Sequence, residues 1–341
     1  MFSLQESEVL FYRMLTVNEL FAGIGAFRKV LINLNIPHEI VGISEIDKYA
    51  VKSYEAIYGE TRNYGDISKI SKLDYVDLWT YGFPCQDLSN AGKQKGLIKG
   101  ETRSGLLYEV QRLLGLAALY DELPKYLIME NVKPLVGKKF LPKFEEWLNW
   151  LSDCGYKSYW QVLNAADYGI PQKRERVICV SIRKDLMNQF FFPEKQPLET
   201  KFRDLLEEQI DEKYYLKQET YEWFKKHNQE CEEKKLGFRF SPVDREKAEI
   251  AKTITTRPDR TEANYICEVQ KIMDDRSNVR KLTPRESWRL MGFSDSDFNK
   301  VQAVNSDTQL YKQAGNSIVV NVLEAVLKNL LQESACETNN L

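Results

Sequence analysis

A strand, a glycine turn and a helix in immediate succession near the N-terminus constrain the fold more than any other feature of the chain. Met14 to Phe21 is an apolar run of strand length, Ala22-Gly23-Ile24-Gly25 is a turn, and Ala26 to Leu34 sets Phe27, Val30, Leu31 and Leu34 at helical spacing. A second apolar run, Ile40 to Ser44, follows directly. This order predicts an open α/β sheet, in which ligands bind at the carboxyl ends of the strands. The turn departs from the dinucleotide fingerprint, because the third glycine of that pattern would fall at Arg28. A pyrophosphate cradle is therefore disfavoured.

Chemistry-bearing residues recur at the predicted strand ends. Glu45-Ile46-Asp47 closes the second strand, about twenty residues past the glycine turn, where a carboxylate can accept from ribose hydroxyls. Asp47 reads equally well as the N-cap of a helix over Lys48 to Tyr58. Gly65-Asp66-Ile67 is read as a third tip. Val76 to Tyr81 is a short buried strand that ends at Gly82, and Pro84 forces Phe83 extended, so Cys85 leaves the strand at a defined angle on the fourth tip. A lone cysteine is ordinarily buried and inert. Here it is followed by small and polar residues with Gly92, Gly96, Gly100 and Gly105, the composition of a lid.

Beyond a long apolar-periodic helix over Leu106 to Leu119, Tyr126 to Met129 reads as a strand that delivers Glu130-Asn131-Val132. Trp160 to Asn164 is a further strand. Tyr168-Gly169-Ile170-Pro171-Gln172-Lys173-Arg174-Glu175-Arg176 then leads into the apolar run Val177 to Ile182. Alternation puts Arg174 and Arg176 on one side of that strand, within reach of one pocket.

From Phe192 the character changes. Phe202 to Ile210 and Tyr214 to His227 are expected as amphipathic helices dense in Glu and Lys, and Glu230 to Lys235 as a charged linker. Gly237 to Tyr265 concentrates Arg239, Arg245, Lys252, Thr253, Thr255, Thr256, Arg257 and Arg260, an inventory suited to base and phosphate contacts. Thr283 as N-cap and Pro284 at the first helical position begin a helix that stops at Gly292. A last helix is expected to begin near Tyr311 and to carry Ile318, Val319, Val322 and Val326.

A chain of 341 residues suits two domains, or one large domain with an insertion. Its 43% hydrophobic content holds no run of about eighteen apolar residues able to span a membrane. Glu6, Glu8 and Arg13 interrupt the only apolar stretch at the start, so no signal peptide is expected and a cytoplasmic location is. Cys85, Cys154, Cys179, Cys231, Cys267 and Cys336 are scattered without a Cys-x-x-Cys pair, and only His38 and His227 accompany them. A zinc site, a disulfide framework and a histidine-based dyad are all disfavoured, and no metal is expected. The net charge of −2 is a weak witness against nucleic acid, since binding depends on local basic surface such as Lys93 to Arg103, Lys173 to Arg176 and Lys252 to Arg260.

Taken in order, Phe21-Ala22-Gly23-Ile24-Gly25, Pro84-Cys85-Gln86, Glu130-Asn131-Val132, Gln172-Lys173-Arg174-Glu175-Arg176, Arg280 to Ser294 and Gly315-Asn316-Ser317 resemble the motifs of the DNA (cytosine-5) methyltransferases, and of their compact bacterial and phage members in particular. The likeness covers most of residues 14 to 185 and 280 to 330. It implies a Rossmann-like S-adenosylmethionine-dependent methyltransferase sheet with a second, smaller DNA-recognition domain. The catalytic and cofactor-binding part would be 1–192 plus 310–341, and 193–309 would recognise the target.

By that resemblance Cys85 is the nucleophile, Glu130 the acid on the base, Arg176 holds the base oxygen, and Arg174 helps fix the loop and the acid. Phe21, Gly23, Gly25, Glu45, Ile46, Asp66, Ile67, Pro84, Asn316 and Ser317 would bind the cofactor, with Phe21 on the adenine, Glu45 on the ribose and Asp66 with Ile67 around the adenine amino group. Gln86, Ser89, Asn90, Arg239, Thr256, Arg257 and Arg260 are the DNA-contact candidates. The implied partner is double-stranded DNA, bound by a monomer; a cognate restriction endonuclease, not held in a stable complex, is a further partner that the family admits. Two other readings stand beside this one: a tRNA cytosine methyltransferase of the same fold, and a catalytically silent DNA-binding protein. The recognition sequence and the role of residues 1–13 are not legible.

Overall fold

The computed structural model describes residues 14–85, 87–88, 96–98, 101–235, 237, 239–269 and 275–338. Its centre is a six-stranded sheet made of β1 (Leu15–Leu20), β2 (His38–Ser44), β3 (Leu78–Tyr81), β4 (Tyr126–Val132), β5 (Tyr156–Asn164) and β7 (Glu175–Arg183), in the order β2-β1-β3-β4-β7-β5. The first four strands of that order are parallel, whereas β7 runs antiparallel to both β4 and β5. The carboxyl ends of β1, β2, β3 and β4 consequently share one edge, and the start of β7 joins them there. The short β6 (Gln172–Lys173) lies just before β7.

Strand alternation divides the core into two halves. Tyr126, Ile128, Ile178, Val180 and Ile182 face one side, while Leu127, Met129, Val177 and Cys179 face the other. On the first side α1 (Ala26–Asn33) buries Phe27, Val30 and Leu31; on the second α3 (Leu107–Leu119) buries Val110, Leu113 and Leu114, and α4 (Leu141–Asp153) buries Phe144, Trp147 and Leu151. Each helix presents its apolar residues at helical spacing, so burying one stripe covers one face of the sheet. Between them α2 (Lys48–Tyr58) is capped by Asp47, whose carboxylate accepts from the Tyr49 amide at 3.0 Å.

A four-stranded sheet, β8 (Tyr215–Lys217), β12 (Arg276–Lys281), β11 (Tyr265–Cys267) and β9 (Val243–Asp244), packs under α5 (Gln218–Lys234) around Phe224, Phe240, Tyr265 and Val279. The strand β10 (Ala251–Lys252) leaves that region and pairs parallel with β6. Three helices then follow, α6 (Pro284–Arg289), α7 (Asp295–Gln302) and α8 (Asp307–Asn316), before α9 (Val320–Thr338) returns against α1. Trp288, Leu290, Met291 and Phe293 share a core with Val17, Val30 and Val326.

Several expectations are corrected here. Gly65 to Ile67 ends no strand: only an isolated Ile43↔Asn63 bridge extends the sheet beyond β2, and Cys85 therefore follows the third strand. Phe202 to Ile210 holds a single 3-10 turn, and the charged linker over Glu230 to Lys235 is mostly the end of α5. Its Glu and Lys residues lie at spacings that a solvent-facing helix tolerates, which composition alone cannot distinguish from a linker. The helix expected from Tyr311 is two, because Ser317 takes an extended backbone between α8 and α9.

Candidate active site

The shared sheet edge opens into a cavity of about 270 Å³, and its walls come from every strand end just described. Phe21, Gly23, Glu45, Ile46, Asp66, Ile67, Pro84, Cys85, Glu130, Arg174, Arg176, Asn316 and Ser317 all line it. Gly25 stands behind the wall, packed against Tyr54 and Tyr58.

At the first strand end, Gly23 adopts φ 57°, and a Cβ there would project into open space with nothing within 4 Å. The glycine turn thus leaves room for a ligand to lie against the backbone. Its amide donates to Glu45 Oε2 at 2.8 Å, and the Asp47 amide donates to Glu45 Oε1 at 2.7 Å. Burial raises the Glu45 pKa, with these two N–H groups pulling it back. Ile46 is 74% exposed beside it, an apolar side chain turned to the cavity without a protein partner to cover it. Asp66 caps the turn at Ile67–Lys69, accepting from the Ser68 hydroxyl and amide, which hold its pKa below the usual carboxylate value. Two carboxylates, an aromatic ring at Phe21, and Ile46 with Ile67 form a polar and apolar set that fits a nucleoside: acceptors for ribose hydroxyls and an amino group, flat apolar surface for a base.

At the other end of the cavity the Cys85 loop is tied down. Ser104 donates to the Pro84 carbonyl at 2.6 Å, Asn131 Nδ2 to the Phe83 carbonyl at 3.0 Å, and the Leu88 amide to the Cys85 carbonyl at 2.9 Å. Asp87 accepts from the Arg103 and Ser104 amides, so the far side of the lid is anchored at the same place. Burial raises the Cys85 thiol pKa and Glu130 adds to it, against Arg176 and Arg174. The resting form at neutral pH is therefore the thiol.

Glu130 Oε1 lies 3.1 Å from Arg176 Nε, and a Cβ on Gly82 would stand 3.4 Å from Glu130 Oε2. Burial raises the Glu130 carboxyl pKa in spite of Arg176 and Arg174. Arg174 is only 2% exposed and donates to the carbonyls of Ile254 at 2.8 Å, Gly315 at 2.9 Å and Ser317 at 2.7 Å. Burial and then the like charge of Arg176 lower its pKa to about 9, and the guanidinium remains charged at neutral pH. Among the described residues its guanidinium bonds go to backbone of Ile254 and of the end of α8.

The DNA-contact candidates divide. Arg257 and Arg260 are exposed and pair with Asp259 at 3.1 Å and Glu262 at 3.7 Å, and Arg239 pairs with Glu232 at 3.3 Å. Thr256 packs by its backbone against Gly315, next to the cavity. Gln86, Ser89 and Asn90, most of the intervening lid, and residues 1–13 lie outside the described residues.

Sequence reasoning placed Gln172 in a motif without assigning it a role, and missed Lys312. Gln172 is fully buried, accepts from the Ile254 amide at 2.8 Å and donates to the Leu290 carbonyl at 2.7 Å. Lys312 closes one wall with a 2.6 Å ion pair to Asp47. Neither role carries a local signal, since both depend on partners more than 80 residues away.

A cysteine at a strand end, a carboxyl and an arginine thus share one cavity with the glycine turn and two further carboxylates, at the carboxyl edge of an open α/β sheet. Residues 15–332 match the family model of the C-5 cytosine-specific DNA methylases. The type II methyltransferase M2.ScrFI of Lactococcus lactis subsp. cremoris is 38% identical, over 94% of this chain and 99% of its own. The type II methyltransferase M.NlaX of Neisseria lactamica is 35% identical, over 93% and 96%. Among solved structures, the Dnmt2 methyltransferase of S. pombe shares the fold with a TM-score of 0.70 at 22% identity, over 93% of this chain and 98% of the other. The chain belongs to the C-5 cytosine-specific DNA methylase family, and it methylates carbon 5 of cytosine at specific sites in DNA. Among the described residues no helix is long and apolar enough to cross a membrane.

Proposed function

We propose that the cavity holds S-adenosylmethionine at its Phe21, Glu45 and Asp66 end and a cytosine flipped out of duplex DNA at its Cys85 end. The observation that carries this reading is that a nucleoside-fitting wall and the Cys85, Glu130 and Arg176 group line one continuous cavity. Bound there, the cofactor supplies an electrophilic methyl group on a sulfonium.

The protein's part is to make carbon 5 of cytosine a nucleophile. Cys85 Sγ, once deprotonated, adds to carbon 6 and forms a thioether bond, and the electron pair displaced into the ring makes carbon 5 enamine-like. Glu130, whose pKa is raised by burial, donates a proton to ring nitrogen 3, which removes the negative charge that addition would otherwise leave. Arg176 is placed beside Glu130 to orient it and to hold the base oxygen. After methyl transfer the carbon 5 proton leaves to water, the carbon–sulfur bond breaks so that Cys85 regains its electron pair, and ring nitrogen 3 returns its proton to Glu130. Bringing the base into the cavity costs a few kcal/mol of unstacking. Residues 193–309 are the proposed target-recognition part.

Duplex DNA containing 5-fluorocytosine tests the reading, because fluorine cannot leave as the proton does. A covalent adduct mapped to the Cys85 peptide is the expected result. Adduct formation at another cysteine, or turnover retained by Cys85→Ser, would overturn it.

A further inference from the structure

The glycine turn that borders the cofactor end of the cavity begins α1 without a capping side chain. Gly25 is the N-cap, at φ 77°, and a Cβ there would fall 2.5 Å from the Tyr58 ring and 2.6 Å from the Tyr54 ring. No Ser, Asp or Asn can therefore occupy the position that such residues usually fill at a helix start. The unpaired amides of the first turn must find acceptors elsewhere.

One does so in Glu19, on β1. Its side chain is 1% exposed; Oε1 accepts from the Arg28 amide at 3.1 Å, in the first turn of α1, and Oε2 accepts from the Tyr54 hydroxyl. Tyr58 donates its hydroxyl to the Gly25 carbonyl at 2.7 Å. The Arg28 guanidinium lies over both rings, 5.6 Å from the Tyr54 centroid and 5.1 Å from the Tyr58 centroid, and reaches the Thr61 hydroxyl at 2.9 Å. A carboxyl buried this completely is costly unless its oxygens are satisfied, and here both accept hydrogen bonds beside the positive end of a helix. The turn is thus gripped from two sides: Glu45 holds Gly23 from the cavity side, and Glu19 with the two tyrosines holds Gly25 from behind.

We propose that Glu19, acting through Tyr54 and Tyr58, is a positioning group for cofactor binding: it supplies from β1 the cap that Gly25 cannot carry, and so sets the height of the Ala22 to Gly25 backbone against the ligand. Glu19 itself touches no ligand. The inference rests on the cofactor reading of the cavity given above.

The test measures S-adenosylmethionine affinity by calorimetry and the cofactor-free unfolding midpoint on the full chain, with Glu19→Ala, Glu19→Gln, Tyr58→Phe and Glu45→Ala. Glu19→Ala should weaken cofactor binding about tenfold or more, Tyr58→Phe about threefold to fivefold, and Glu19→Gln, which keeps an acceptor for the Arg28 amide, should restore most of the loss. In turnover assays the effect should fall on KM for the cofactor and leave kcat nearly untouched. If Glu45→Ala weakens binding while Glu19→Ala and Tyr58→Phe stay within about twofold of wild type, the positioning role is wrong though the cavity is correctly assigned. If Glu45→Ala also leaves affinity unchanged, the assignment of the cavity fails and takes the inference with it. Should Glu19→Ala not fold, Tyr58→Phe, at the half-buried end of the cluster, decides alone.

Discussion

Arg176 and Glu130 meet across two antiparallel strands because of their register. Glu130 lies opposite Ile178 and Arg176 opposite Val132, so the two side chains are diagonal neighbours on one face, with Nε 3.1 Å from Oε1. The pair sits between opposing demands. Burial favours the neutral acid, while the guanidinium favours the carboxylate, and the net shift of the Glu130 pKa is upward. Cys85 feels the same two groups with the opposite sign, since Glu130 raises its pKa and Arg176 lowers it. Moving one proton from Cys85 to Glu130 would create the thiolate and the acid together.

This coupling gives a prediction that runs against intuition. Glu130→Gln should depress methyl transfer by about a hundredfold or more, the usual worth of a positioned acid. The same variant should make Cys85 alkylate at lower pH, because a neutral amide no longer repels the thiolate. Arg176→Gln should do the reverse: with the thiol pKa raised further, alkylation requires a higher pH. Iodoacetamide labelling of the Cys85 peptide, followed across pH by mass spectrometry, checks both signs. A shift in the same direction for the two variants would contradict the arrangement.

The two carboxylates of the cofactor wall should not be equivalent. Glu45→Ala removes a group that also holds the Gly23 and Asp47 amides, and its loss should weaken cofactor binding by about 1.5–3 kcal/mol. Among the described residues the Asp66 carboxylate accepts from Ser68 alone, at an exposed turn, so Asp66→Ala should cost less. Calorimetry ranks them, and methylation sites should be the same in both variants. Equal affinity for Glu45→Ala and wild type would remove Glu45 from the pocket.

The strand ends were legible in the sequence because each is a local event: an apolar run followed by glycine, proline or an acid. Hence β1 to β4 and the positions of Glu45, Cys85 and Glu130 could be read from spacing and punctuation. Asp66 was placed at a strand tip for the same reason, and wrongly, because one bridge at Asn63 is too little to make a strand. The region after Phe192 was misread where Glu and Lys alternate without a wide apolar stripe, so that helix, turn and linker look alike in composition. The role of Gln172 and the backbone duties of Arg174 were invisible for a different reason. Their partners lie 80 to 143 residues away, and only the folded chain brings them together.

The buried ion pair between Arg280 and Glu286 should matter more than any exposed one. Both side chains are 0% exposed, Glu286 accepts at 2.9 Å from each terminal nitrogen of Arg280, and it also closes the capping box with Thr283. Glu286→Ala removes the cap and leaves Glu268, 2.6 Å from Arg280 Nε, as the remaining carboxylate on the buried guanidinium, so unfolding free energy should fall by about 3 kcal/mol. Arg239→Ala, which breaks an exposed pair, should change stability by less than about 1 kcal/mol. Denaturant unfolding of the two variants tests the contrast, and similar midpoints would refute it.

Gly315 lets the segment after β10 pass directly over the end of α8. A Cβ at this position would stand 2.4 Å from the Thr255 carbonyl carbon and the Thr256 nitrogen, both backbone atoms that cannot swing aside. Gly315→Ala should therefore displace the 251–256 segment, and with it the backbone that Arg174 holds. A displacement of about 1 Å beside the reacting base should lower turnover by about a hundredfold while the chain stays folded. Circular dichroism and methyl incorporation give the two readouts, and turnover close to wild type would mean that the segment yields without consequence.

Specificity is the prediction where the sequence gives the least guidance and the structure adds the most. Arg257 and Arg260 extend from the segment that β10 and Arg174 bind to the catalytic part, and their exposed guanidinium groups pair with acids nearby in sequence, the exposed Asp259 and the half-buried Glu262. Such exposed pairs are worth about 0–1 kcal/mol, so DNA can replace them at little cost. A guanidinium can donate two hydrogen bonds to guanine in the major groove, whereas contact with phosphate carries no sequence information. We expect base contact from Arg257 and Arg260. Methylation of a randomised-site library by Arg257→Ala and Arg260→Ala should then relax preference at a single position, by about 1–3 kcal/mol. Uniform weakening at all sites, with a flatter salt dependence, would assign them to phosphate instead. An unchanged preference and affinity in both variants would move recognition to another part of residues 193–280.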